Sequence, residues 1–208
     1  MQGGNELNLG KSSVRVTLAG DLPTSAAALG AALRAAPDVT EAQVAKFTIP
    51  VQRLRSESSL DLSSNANVSD LDLMVISGFL RVAGSADAVP LHTLKVAPKK
   101  VTGKGVVALA AASSLTRLDL SGKMSEGEMQ SMGKVLLASN IRSSQLSFKC
   151  DAFDVPVAAT SLDLSGKGMG AAPATLLAGV LKFSAALTDL KYAPPARLRP
   201  QLHVPSLL

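Results

Sequence analysis

The chain has 208 residues, of which 47% are apolar and only 3% aromatic, and it carries a formal charge of +5. That apolar content over that length supports a buried core and excludes a disordered chain; with no Trp and a single Tyr, Tyr192, the core must be aliphatic. One cysteine, Cys150, excludes an internal disulfide, and with His92 and His203 as the two histidines the chain lacks the four His/Cys ligands of a structural zinc site.

Residues 1–10, MQGGNELNLG, lack the basic-then-apolar order of a secretory signal, and nothing later reaches the roughly 18 uninterrupted apolar residues of a membrane span. The reading is therefore a soluble intracellular protein, cytoplasmic by default, in which the sequon Asn67-Val68-Ser69 carries no glycan and Cys150 is a buried free thiol. Strand phrases open at Leu7 and Leu9 and again at Val16 and Leu18, and residues 24–36, TSAAALGAALRAA, have helical character. A phrase with Val44, Phe47, Ile49 and Leu54 follows, then LDLSSN at 60–65. A helix is predicted over 69–83, where Ser69 and Asp72 resemble a capping box. Leu91, Leu94, Val96 and Val101 form the next strand phrase, and 103–112 the next helix.

The six residues LDLSGK stand at 118–123 and again at 162–167. After the first copy, Ser125 with Glu128 marks a helix over 125–138, whose Met129, Met132, Val135 and Leu136 recur at helical spacing. After the second, a helix over 170–183 carries Leu176, Leu177, Val180 and Leu181 in the same way. Both stripes read as core faces. The unit opening at Leu115 returns at Ser143, with Leu146, Phe148, Asp151 and Phe153. The same interval carries the unit opening at Ala159 to Leu187, with Leu190 and Tyr192.

A strand phrase SLTRLDLSGK, a capped helix and a return at that fixed interval resemble the leucine-rich repeats of the ribonuclease-inhibitor-like type. The resemblance implies an α/β solenoid with parallel strands on a concave face, helices on a convex face and each unit buried against its neighbours. The expected organisation is such a solenoid over 1–193, broken near 149–159 where Pro156 opposes a helix, and a proline-rich basic tail over 194–208. Where the family places its turn asparagine, this chain has Asn65 once but otherwise Lys99, Lys123, Asp151 and Lys167, and a lysine cannot accept the hydrogen bonds that an amide oxygen does.

Strand side chains alternate, so the residues between the leucines would face out of the sheet: Lys95, Arg117, Asp119, Ser147, Lys149, Ser161, Asp163, Asp189 and Lys191. That polar, mixed-sign surface points to a non-enzymatic scaffold or subunit that binds another protein, with no cofactor and no catalytic residue. Residues 91–123 hold six Lys/Arg against the single Asp119, but without aromatic residues to stack bases nucleic acid is not the expected partner. The rival is a nucleotide-binding α/β enzyme: Gly166-Lys167-Gly168-Met169-Gly170-Ala171 fits G-x-G-x-x-A after a strand and before a helix, with Asp189 placed for a ribose hydroxyl. The first glycine and lysine of that turn belong to LDLSGK, which ascribes them to the repeat.

Overall fold

A computed structural model describes residues 13–18, 20–81, 89–112, 114–120, 122–140, 146–184 and 186–192. Its central element is a sheet in which β4 (Ser59–Leu62), β5 (Thr93–Val96), β6 (Arg117–Leu120) and β7 (Ser147–Cys150) run parallel, with β8 (Asp154–Val155) antiparallel at the edge. The leucines of the recurring phrase set this register. Leu60, Leu94, Leu118 and Phe148 lie side by side, as do Leu62, Val96, Leu120 and Cys150, and all eight are buried. Each fully buried leucine contributes about 1.5–3 kcal/mol of transfer free energy, which fixes which face turns inward.

Helices cover that inward face: α3 (Asp70–Leu80), α4 (Gly103–Ala110) and α5 (Glu126–Ala138) follow β4, β5 and β6 in turn. Leu73, Ile76, Leu80, Leu109 and Leu136 from these helices have no exposed surface, so sheet and helices share one aliphatic core. Both predicted capping boxes form. The Glu128 carboxylate accepts the Ser125 N–H at 2.7 Å, and the Asp72 carboxylate accepts the Ser69 N–H at 2.9 Å.

On either side lie two smaller sheets. β1 (Ser13–Arg15) pairs parallel with β2 (Glu41–Gln43), which pairs antiparallel with β3 (Thr48–Ile49); β9 (Ser161–Asp163) pairs parallel with β10 (Asp189–Lys191). α1 (Leu22–Ala35) and the short α2 (Val51–Ser56) accompany the first, α6 (Ala171–Leu181) the last. The stacked leucine-rich-repeat solenoid is therefore not the fold: this is a mixed α/β structure with three separate sheets of three, five and two strands, two of them containing antiparallel pairs. The physical cause is visible at 148–155. β7 turns back on itself as a hairpin, with the Cys150 N–H donating to the Phe153 carbonyl at 2.9 Å and the Phe148 and Phe153 rings 6.0 Å apart, so β8 occupies the edge that a further parallel strand would need.

Two further expectations change. Leu54, read as part of a strand phrase, belongs to α2, where it is buried beside Val51. The interval that carries Leu115 to Ser143 would set Leu118 against Leu146, but the sheet pairs Leu118 with Phe148, a slip of two residues that leaves every side chain on its predicted face. No helix separates β7 from β9, in keeping with Pro156 after β8; the strands on the two sides of 149–159 belong to different sheets, while α5 and α6 pack directly on each other. The first phrase at Leu7 and Leu9 and the tail 194–208 lie outside the described residues.

Helix pairs approach to backbone contact. A Cβ on Gly30 of α1 would overlap the Val75 carbonyl oxygen of α3, and one on Gly78 would overlap that of Ala27; Gly133 of α5 stands in the same relation to Thr175 of α6. Among the described residues no helix is long and apolar enough to cross a membrane.

Candidate functional site

The outward face of the five-stranded sheet is built by the same alternation that buries the leucines. Asp61, Lys95, Asp119, Lys149 and Asp154 are register partners on five neighbouring strands, so their charges alternate in sign across the sheet. Lys95 Nζ lies 3.1 Å from Asp61 Oδ2, and Lys149 Nζ 3.5 Å from Asp119 Oδ2. One step towards the strand starts, Arg117 reaches 2.7 Å to Asp154 Oδ2. Exposed pairs of this kind contribute about 0.2–1 kcal/mol each, so their effect is on orientation more than on stability. Asp119 is the most enclosed of the row, its side chain 13% exposed against 47% for Lys149.

The predicted site residues do not all share this face. Lys95, Arg117, Asp119 and Lys149 lie open on it, while Ser147, the register partner of Arg117, is on the same face but covered: it is buried, and its hydroxyl accepts the Val157 N–H at 2.9 Å, holding the chain as it leaves β8. Ser161, Asp163, Asp189 and Lys191 lie on the separate β9–β10 pair, where they are exposed. There the Ser161 hydroxyl donates to Asp189 at 3.2 Å, and Asp163 is the register partner of Lys191.

Sequence reasoning missed Asp61 and Asp154. Asp61 was legible, since LDLSSN places it where LDLSGK places Asp119 and Asp163; Asp154 was not, because nothing local announces that β8 folds back beside β7. The phrase also carries a second meaning. Asp61 accepts both the N–H and the hydroxyl of Ser63, at 2.8 and 2.6 Å, and Asp163 does the same for Ser165 at 2.9 and 2.5 Å. The Asp-x-Ser of the motif is thus an Asx turn that ends the strand, and those two hydrogen bonds hold both carboxyls below the usual aspartate range, with nearby lysines adding to the effect.

The lysines at the asparagine positions, Lys99, Lys123 and Lys167, are exposed, and Asn65 is the residue that performs the expected task, its side-chain oxygen accepting the Asn67 N–H at 3.0 Å. Cys150 is buried and burial raises its thiol pKa, which disfavours the thiolate.

The glycine turn stands after β9 and before α6, with Gly166 and Gly168 at φ of 82° and 59°. Asp189, however, pairs with Ser161 at the start of β9, and the turn follows the end of that strand. Carboxylate and turn sit at opposite ends of the β9–β10 pair. Compared with protein-family models and with curated proteins, the chain matches none.

Proposed function

We propose that this chain is a non-enzymatic binding or scaffold subunit that offers the outward face of its five-stranded sheet to another protein. The observation that supports the reading is the row Asp61, Lys95, Asp119, Lys149 and Asp154, whose alternating charges are set at strand spacing, about 4.8 Å apart, on a regular backbone. Paired charges give little affinity but strong register: a partner with the complementary order is accepted, and one shifted by a strand meets like charges throughout. With no aromatic anchor in the row, binding is charge-steered and weakens as salt rises.

The test is affinity capture with the retained protein identified by mass spectrometry, comparing Lys95→Glu and Lys149→Glu with Lys134→Glu on the outer side of α5. Loss with the first two and retention with the third is expected; equal loss in all three would refute the sheet face. Lys182 is unsuited as the helical control because its ammonium donates to the Leu137 carbonyl at 2.7 Å and to that of Ser139, closing the end of α5.

A further inference from the structure

On the other side of the molecule the helix layer is not filled. α1 meets α3 and α5 meets α6 at backbone contact, whereas α4, between them, has eight residues against eleven in α3 and thirteen in α5. The shortfall leaves a groove of about 600 Å³, within the size range of ligand sites, walled by Ala27, Met74, Val107, Ala108, Val135 and Ala138. The one hydroxyl on its α3 wall is engaged, Ser77 donating to the Ala108 carbonyl at 2.5 Å.

The groove has a direction and a charge. Asp70 at the start of α3 bonds Thr102 and Gly105 at the start of α4, and Ser77 near the end of α3 bonds Ala108 near the end of α4, so the two helices run parallel along the groove. Lys104 therefore marks one end and Arg81 the other. No carboxylate is among the lining residues, and neither cation makes a side-chain hydrogen bond or ion pair among the described residues. An apolar trough that runs from Met74 to Arg81, about 10 Å of helix, and ends at a guanidinium selects an apolar chain with an anionic head.

We propose that this groove binds an unesterified fatty acid, its alkyl chain lying along α3 and α4 between the walls of α1 and α5 and its carboxylate on the Arg81 fork. The bidentate geometry of guanidinium with carboxylate supplies orientation, and the apolar walls supply affinity. The groove and the sheet face are independent, so either can fail without the other.

Titration calorimetry of the whole chain with laurate below its micellar concentration tests this. Saturable binding of one laurate per chain is expected, tightening about fourfold per added methylene from octanoate until the groove is full. Dodecanol and dodecylamine should bind at least tenfold more weakly, Arg81→Ala should lose at least tenfold, Lys134→Ala should be unchanged, and Ala138→Trp should block the groove. Dodecylamine or dodecanol binding as tightly as laurate, or unchanged affinity in Arg81→Ala, would overturn the proposal. So would flotation with anionic phosphatidylglycerol vesicles without binding of monomeric laurate, or a dimer that Ala138→Trp dissociates and laurate leaves intact. Arg81 is exposed at the helix end, so its variant remains informative even if the tryptophan variant fails to fold.

Discussion

The Asp70 carboxylate, in the first turn of α3, accepts the Thr102 N–H at 2.7 Å and so caps a helix other than its own. The same side chain accepts the Thr102 hydroxyl at 2.5 Å and the Gly105 N–H at 3.2 Å, which satisfies first-turn donors of α4 and explains why position 105 is glycine, since a Cβ there would lie 2.6 Å from Asp70 Oδ1. Asp70→Ala should lower stability by about 1–2 kcal/mol, the worth of a helix cap, measured as a fall in the urea midpoint with unchanged slope. A change below about 0.3 kcal/mol would mean that water replaces the carboxylate without cost.

Arg55 closes the opposite end of another helix. Its guanidinium donates to the carbonyls of Leu33 and Ala36 at 2.5 Å, of Val39 at 2.6 Å and of Pro37 at 3.3 Å, gathering last-turn and C-cap acceptors of α1 together with those of the segment that follows. Burial lowers its pKa below the ordinary arginine value, with Asp38 opposing the shift, and the group stays charged. Arg55→Met should cost about 1.5–3 kcal/mol, and Arg55→Lys should recover less than half, because an ammonium cannot span carbonyls on both sides. Full recovery by lysine, in the same urea titrations, would show that charge alone matters.

Asp72 gives the protein an unusual response to acid. Burial raises its pKa, against hydrogen bonds from Ser69 that lower it, and its Oδ1 has no hydrogen-bond partner. The folded state thus holds this proton more tightly than the unfolded chain, so the contribution of Asp72 is fully present below the unfolded carboxylate value of about 4 and is lost as pH rises through its folded pKa. Asp61, Glu128 and Asp163, whose carboxyls are lowered, act in the opposite sense and lose their contribution as pH falls. Asp72→Asn keeps an acceptor for Ser69 and removes the charge. It should stabilise the fold at pH 7 and do so less at pH 4, read from thermal midpoints at the two pH values. A gain that grows on acidification would contradict the assignment.

Gly78→Ala should be among the most damaging single methyl additions in the chain. The new carbon would strike Ala27 backbone atoms on α1, which cannot rotate aside as a side chain can, so α1 must separate from α3. A loss of about 1–3 kcal/mol is expected despite the helix propensity gained. Gly127→Ala on the exposed start of α5 has open space and should be neutral or stabilising. Thermal denaturation of the two variants side by side distinguishes contact from propensity.

The helices were readable because their signals are local. Ser69 with Asp72 and Ser125 with Glu128 announce their own boundaries, and the observed starts at Asp70 and Glu126 follow them directly. The strands of the recurring phrase, β4, β5, β6, β7, β9 and β10, were also readable as segments, but not their grouping into sheets. Leu118 and Leu162 sit in identical phrases, yet one lies in the middle of a five-stranded sheet and the other in a separate pair. The difference arises at 150–154, where a tight return from Cys150 to Phe153 places β8 against β7; no periodicity carries that information. The parity of the outward residues survived the two-residue slip because side chains alternate, which is why Lys95, Arg117, Asp119 and Lys149 were found together. Ser147 has the right parity and the wrong environment, since Val157 comes back over it.

The helix ends closed from a distance bear on how the chain emerges during synthesis. The last carbonyls of α1 obtain their cation only when residue 55 has left the ribosome, and those of α5 only at residue 182, long after that helix is complete. Each of these helices is therefore released with a frayed end, and a translational pause inside either interval would prolong the exposure of a half-finished layer to chaperones and proteases.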